Sequence, residues 1–267
     1  MHICALYKTF SGDEFVEASI ESIYSCVDKI VFSHSDVNWL GEKGINTVYP
    51  VVKKWQKEND KKNKIIHLWN NIPSQKEQCD SAYTWIKNVF NPVWIMSIDT
   101  DEVFSICDIN KLLKLSFDCH MFNAIHIKMY TYLKSPYYRV TNIEACKPCI
   151  LFRPIFERMY STRGNGVNPL LIPEDIYMHH FTYVRSKEKD VFRKIWTSDA
   201  GDKDDNPNVQ LVNMDNWIKH KWMKIETAKN LHTTLGYEWS WESVKKIKIN
   251  DLPETLRNKK ILLEYNK

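Results

Sequence analysis

At 267 residues the chain can bury a sizeable core as one domain, or as one domain with an appendage. Its 43% hydrophobic and 26% charged residues are ordinary for a globular protein. A net charge of +4 is compatible with an anionic ligand and lies far from a nucleic-acid-binding profile.

Met1-His2-Ile3-Cys4 passes straight into a strand expected over His2–Tyr7, so neither a secretory leader nor an extracytoplasmic location is expected. Ser11 and Glu14 then have capping-box spacing, and Val16, Ile20, Ile23 and Val27 follow as one helical stripe. Lys29–Ser33 reads as a second strand, ending in His34-Ser35-Asp36, which completes a βαβ unit. Asn46 caps a helix running to about Glu58, with Val51, Val52 and Trp55 inward, and Ile65–Leu68 is a third strand. Ser74 and Glu77 form another capping box, opening a helix whose apolar face is Cys79, Ala82, Tyr83, Ile86 and Phe90. Strands alternating with amphipathic helices imply a parallel sheet covered on both faces.

The next segment, Val93-Trp-Ile-Met-Ser-Ile-Asp-Thr-Asp-Glu-Val-Phe104, is the most informative in the chain. A dense β-branched and aromatic run reads as a buried strand, yet it ends in three carboxylates within four positions, which repel one another. Alternation along an extended chain puts Asp99 and Asp101 on one side, with Thr100 opposite. Two carboxylates at the carboxyl edge of an α/β sheet suit a hard divalent cation, at the edge where such sheets bind ligands. Asp202-Lys203-Asp204 repeats the spacing without a preceding strand and reads as loop.

Beyond Phe104 the pattern changes. A helix is expected over Asp108–Leu115, a strand over Phe122–Leu133, a shorter strand over Ile150–Arg153 and a long Gly/Pro-marked loop from Phe156 to Pro173. Ile176–Val184 is a strand carrying His179 and His180, and Ser186 caps a helix with Val191, Phe192, Ile195 and Trp196 inward. The tail, with Trp217, Trp222, Trp239 and Trp241, is aromatic, basic and helical in character. Seven cysteines form no disulfide framework, which suggests a reducing compartment. Cys146-x-x-Cys149 has no complementing pair and no following helix, so structural thiols are expected. No apolar run approaches the ~18–20 residues of a membrane span.

Parallel strands would gather three loops at one edge: Tyr7-Lys8-Thr9, Asp36 and the Asp99–Glu102 cluster. Carboxylates accept from base or ribose donors and a metal-binding pair can hold a diphosphate beside them, which together describe a nucleotide-diphosphate site.

On these residues the sequence resembles the GT-A fold glycosyltransferases, particularly family-2-like members. The resemblance rests on Ile3–Ser35, on Gln78–Phe104 with its Asp-x-Asp-Glu ending, and on His180-Phe-Thr-Tyr-Val-Arg185. It implies an α/β fold with a mixed, mainly parallel sheet flanked by helices, and inverting transfer of a sugar from a nucleotide-diphosphate sugar to a hydroxyl of a glycan acceptor, on Mn²⁺ or Mg²⁺. By that resemblance residues 1–105 form the nucleotide-sugar half, 106–200 the acceptor half of the same domain, and 201–267 an aromatic helical extension. Asp101, Asp99 and His180 would serve the metal, with Asp99 also near the ribose, while Tyr7, Lys8, Thr9 and Asp36 face the base and ribose. His179 points to the other side of its strand. Arg153, Arg163 and Lys194 are candidates for the diphosphate. The general base that an inverting transfer requires falls to Glu157, Glu174 or Asp175, with Glu102 as a further candidate or a buttress of the turn. Relatives often carry a Gly-x-x-His-Glu segment where this chain has Gly164-Asn-Gly-Val-Asn168, without an acid. Two other readings compete: a nucleotidyltransferase, which would normally show a Gly- and Lys/Arg-rich loop after the first strand, and a non-catalytic sugar- or nucleotide-binding module.

Overall fold

The structure, a computed structural model, describes residues 2–118, 120–141, 147–159, 169–196, 214–215, 217–218, 221–222, 224–225 and 244–265. Its first half is built as the sequence pattern dictates. Strand β1 (Ile3–Thr9) lies between β2 (Lys29–His34) and β4 (Trp94–Ile98), with β3 (Ile65–Trp69) beyond β2, all parallel. Helices α1 (Val16–Ile23), α2 (Val48–Asn59) and α3 (Gln75–Phe90) make the crossovers. Alternation along β1 sends Ile3, Ala5 and Tyr7 into a core that includes Val16, Ile20, Val48 and Val52, on the α1 and α2 side. Cys4 and Leu6 point the other way, onto Cys79, Ala82, Tyr83 and Ile86 of α3. Each fully buried Leu, Ile or Phe contributes about 1.5–3 kcal/mol relative to exposure, so the two-sided burial of β1 anchors the fold.

The first sheet continues past β4 through β9 (Cys149–Phe152), β6 (Ala124–His126) and β10 (Leu170–Leu171), with β9 antiparallel to both neighbours. A second sheet has the order β12 (Val244–Lys246), β8 (Tyr138–Val140), β7 (Lys128–Leu133), β11 (Tyr177–Tyr183), β5 (Glu102–Phe104). The fold is thus α/β with a mixed, mainly parallel central sheet flanked by helices, as the resemblance implies. Helix α4 (Ile106–Asp118) receives the indole N–H of Trp94 on the Ser116 carbonyl, α5 (Glu188–Trp196) follows β11, and short helices α6 (Glu254–Arg257) and α7 (Ile261–Glu264) close the described chain. Among the described residues no helix is long and apolar enough to cross a membrane.

Local signals fared unevenly. The Ser74 hydroxyl accepts from Glu77 N–H at 3.3 Å, and Asn46 Oδ1 accepts from the N–H groups of Val48 and Tyr49. The Ser11/Glu14 box does not form: α1 starts at Val16, and the Glu14 carboxylate accepts from the backbone and hydroxyl of Ser186 and from Tyr265. That long-range use of Glu14 also takes the Ser186 side chain, and α5 begins at Glu188. The single strand expected over Phe122–Leu133 is two, β6 and β7, which belong to different sheets. Cys149 is buried in β9, while Cys146 and the Asp202–Asp204 repeat lie outside the described residues. Most of the expected extension beyond residue 200 does too.

Candidate active site

The site lies where the chain leaves one sheet and enters the other. Strand β4 ends at Ile98, residues 99–101 turn, and β5 begins at Glu102. The turn is closed by Glu102 N–H donating to the Asp99 carbonyl at 3.1 Å and Asp99 N–H donating to the Glu102 carboxylate at 2.8 Å. Glu102, fully buried, is therefore a buttress of the turn. Since this segment is not extended, the side-to-side alternation expected of Asp99, Thr100 and Asp101 does not apply, and all three line one cleft. Gly12 approaches from the β1–α1 loop at φ +104°, where a Cβ would sit 2.6 Å from the Thr100 hydroxyl.

Asp101 is 1% exposed. Its Oδ2 accepts from Arg185 Nη2 at 2.7 Å and lies 3.4 Å from Lys194 Nζ. Its Oδ1 faces His180 Nε2 at 3.8 Å and accepts no hydrogen bond from any described residue. Burial works against charging this carboxyl, but Lys194, Arg185 and His180 outweigh it and hold the group well below the usual carboxylate range. His180 arrives there because β11 pairs antiparallel with β5, placing it opposite Glu102. His179 projects from the other side of β11, where its Nδ1 meets the Tyr132 hydroxyl at 2.7 Å. Asp99, more open, pairs with Lys8 at 3.2 Å.

The expected residues separate by strand alternation. Lys8 lines the cleft. Tyr7 is buried on the core side with its hydroxyl on Ser19, and the Thr9 hydroxyl meets His34 Nδ1. Asp36 is exposed, and the cleft is reached instead by Asn38 and Trp39 of the same loop. The indole N–H of Trp39 is fixed by Gln78 Oε1 at 3.2 Å, and the Gln78 amide by the Ser33 carbonyl. Neither Trp39 nor Phe10, also at the cleft, stands out from sequence; the aromatic loops after β1 and β2 are the available signal. Arg185 closes the histidine-strand motif, which gives it no role of its own, and a buried arginine ending a strand is the clue it offers.

The candidate bases lie elsewhere. Glu174 and Asp175 are exposed and pair with Lys128 and Lys111. Asp175 precedes His180 by five residues on the approach to β11, roughly 17 Å along an extended chain. Because β9 runs antiparallel to β4, residues after it emerge at the opposite edge of the sheet. There Arg153 lies over the Trp94 ring, and Glu157 is exposed. Arg163 and the Gly164–Asn168 segment lie outside the described residues.

Among the described residues no three carboxylate, imidazole or thiol donors converge. Mg²⁺-type ions, however, are commonly held by one or two protein carboxylates plus substrate phosphates and water. Two donors that each sit ~2.1 Å from one ion are at most ~4.2 Å apart. The 3.8 Å between Asp101 Oδ1 and His180 Nε2 satisfies that bound, and Oδ1 is a buried acceptor lacking a hydrogen-bond donor among the described residues. These two atoms fit a divalent cation. The Asp99 carboxylate does not join them, being drawn to Lys8.

No family model matches the sequence, and no curated protein matches it. Solved structures do. The chain is similar to S. aureus TarS 1–349 (11% identity, TM-score 0.45, 82% of this chain and 70% of that one). It is similar to the same S. aureus protein in complex with UDP (11%, TM-score 0.47, 88% and 76%). It is also similar to the mannosyltransferase PcManGT from Pyrobaculum calidifontis in complex with GDP-Man and Mn²⁺ (9%, TM-score 0.49, 73% and 61%).

Proposed function

We propose that the chain is a glycosyltransferase that moves a sugar from a nucleotide-diphosphate sugar to a hydroxyl acceptor, with Asp101 and His180 holding a divalent cation. The observation that carries this reading is Asp101: a buried carboxylate kept charged by Arg185 and Lys194, with its other oxygen lacking a hydrogen-bond donor among the described residues and turned to an imidazole. Such an arrangement is costly as mere scaffold, because a buried acceptor without a donor costs about 1–3 kcal/mol.

Each side chain has a part in this reading. Lys8, Arg185 and Lys194 surround the floor of the cleft with positive charge, suited to a diphosphate. Arg185 also fixes Asp101 through its hydrogen bond, so the carboxylate's orientation is set before any ligand arrives. Asp99, on Lys8, is the more open of the two and would accept from ribose hydroxyls. Trp39 and Phe10 supply apolar wall, with Trp39 held by Gln78. When bound, a divalent cation would neutralise charge building up on the departing nucleoside diphosphate.

Titration calorimetry with UDP-, GDP- and dTDP-sugars, with and without Mn²⁺, tests the proposal. Metal-linked binding of one nucleotide sugar, followed by product formation on a glycan acceptor, is expected, and the anomeric configuration read by NMR gives the stereochemistry. Binding of nucleoside triphosphates alone, or of no nucleotide, overturns it.

A further inference from the structure

The second sheet carries a cationic cluster on the side away from Asp101. Lys245 of β12 stands directly opposite Arg139 of β8, and Arg139 directly opposite Tyr132 of β7. Directly opposed residues on antiparallel strands project from the same face with Cβ atoms about 5 Å apart, a spacing at which like charges destabilise the pair. Tyr132 bonds to His179, so this is the His179 side of the sheet, the reverse of the His180 side.

A cavity opens here whose charged lining is Arg139, Lys245, Lys246 and Arg257 against Asp108 and Asp251, with Tyr130 and His179 beside them. Neither Arg139 nor either lysine forms an ion pair with a described carboxylate. The two lining acids keep their charge but are turned to neutral donors: Asp108 accepts from the Ser105 hydroxyl and Tyr177 N–H, and Asp251 from Lys248 N–H. Arg257 donates to the carbonyls of Leu252 and Asn250 and pairs with Glu254 at 3.6 Å. Arg139 lies over the Tyr130 ring, its guanidinium carbon 4.0 Å from the ring centre, and its Nε–H is buried with no acceptor among the described residues. A planar guanidinium with a donor unmet among the described residues, braced by an aromatic ring and faced by Lys245, is complementary to a phosphate's oxygens. We propose that this cavity is a second anion site, which seats a phosphoryl group, free or carried on a sugar, between Arg139 and Lys245. It would also relieve the repulsion between the two opposed cations.

Thermal unfolding of the full chain at low ionic strength, titrated with inorganic phosphate and separately with glucose 1-phosphate against matched NaCl, tests this with K245Q, a surface change that leaves the Asp101 cleft intact. The expected result is that K245Q weakens the stabilisation by either probe about tenfold, the loss of one charge-assisted hydrogen bond. In phosphate-free buffer K245Q is expected to unfold no earlier than the wild type, because the opposed charges are gone. Arg139→Lys, which keeps the charge but not the fork, serves as a second variant and should also lose phosphate affinity. An undiminished phosphate response in both variants, or no wild-type response beyond that to NaCl, overturns the proposal. Nucleotide binding at the Asp101 cleft should be the same in K245Q and wild type, so failure here is distinguishable from failure of the transferase reading.

Discussion

Two buried polar clusters sit at the same edge of the central sheet, and they are built on opposite plans. Behind β1 and β2, the Thr9 hydroxyl meets His34 Nδ1 at 2.7 Å, His34 Nε2 meets His67 Nδ1 at 2.8 Å, and His67 Nε2 meets Gln56 Oε1 at 3.0 Å. Gln56 is oriented by its amide donating to the Ile65 carbonyl, so Oε1 must accept from His67. Each link then has one assignment: Thr9 donates to His34, His34 to His67, and His67 to Gln56. The chain is neutral and every ring nitrogen is used. Around Asp101 the cluster is charged, and one carboxylate oxygen lacks a donor among the described residues. A closed network holds a fold in one state, whereas an incomplete one marks where something else is meant to bind.

The widest separation between the two should come from Asp101→Asn. Transferase turnover should fall by about 10³-fold, the scale of losing a preorganised electrostatic group, and Mn²⁺-dependent thermal stabilisation should vanish. Steady-state kinetics and thermal shifts check this, and wild-type turnover in that variant would remove Asp101 from the mechanism. Next is the pair on β11: His180→Ala should weaken metal affinity about 10- to 100-fold. His179→Ala should leave metal affinity unchanged and lower stability instead, and calorimetry with Mn²⁺ decides between the two rankings.

Acid should break the closed network. Burial, and for His34 its neighbour His67, pushes His34 down to about 3, while burial and Lys53 push His67 down to about 4. Both folded values lie below the ordinary 6.5, so as pH falls through 6.5 the unfolded chain takes up protons that the folded chain refuses. Stability from this pair is complete above 6.5 and declines as pH drops towards 4. Urea unfolding between pH 4 and 8 should show that slope, and His67→Gln should flatten it. The smallest effect expected is Thr9→Val, which removes the donor to His34 at a cost of about 1–3 kcal/mol without changing nucleotide affinity. A change in affinity would make the network part of the site.

Much of the first half could be read from the sequence because its signals are local. Ser74 caps where spacing says it should, and the strand before Asp99 is identifiable from its own residues. The features that were not legible depend on pairing between distant segments. Strand β5 is only three residues long and exists because β11 lies beside it. Arg185 and Lys194 reach Asp101 from more than eighty residues away in sequence, and no periodicity encodes that. The split of β6 from β7 turns on one residue, Ile127, between strands of different sheets. His34 and His67 are on neighbouring parallel strands, but their direct bond required the register to be known.

The turn at residues 99–101 is the joint between the two sheets, and the groups around it come from both. Lys8 and Asp99 belong to the β1–β4 side, while His180 stands on β11, Arg185 just past its end and Lys194 on α5. A molecule lodged among them would therefore act as a rivet, and amide exchange in β5 and β11 should slow together when it binds, although neither strand need move.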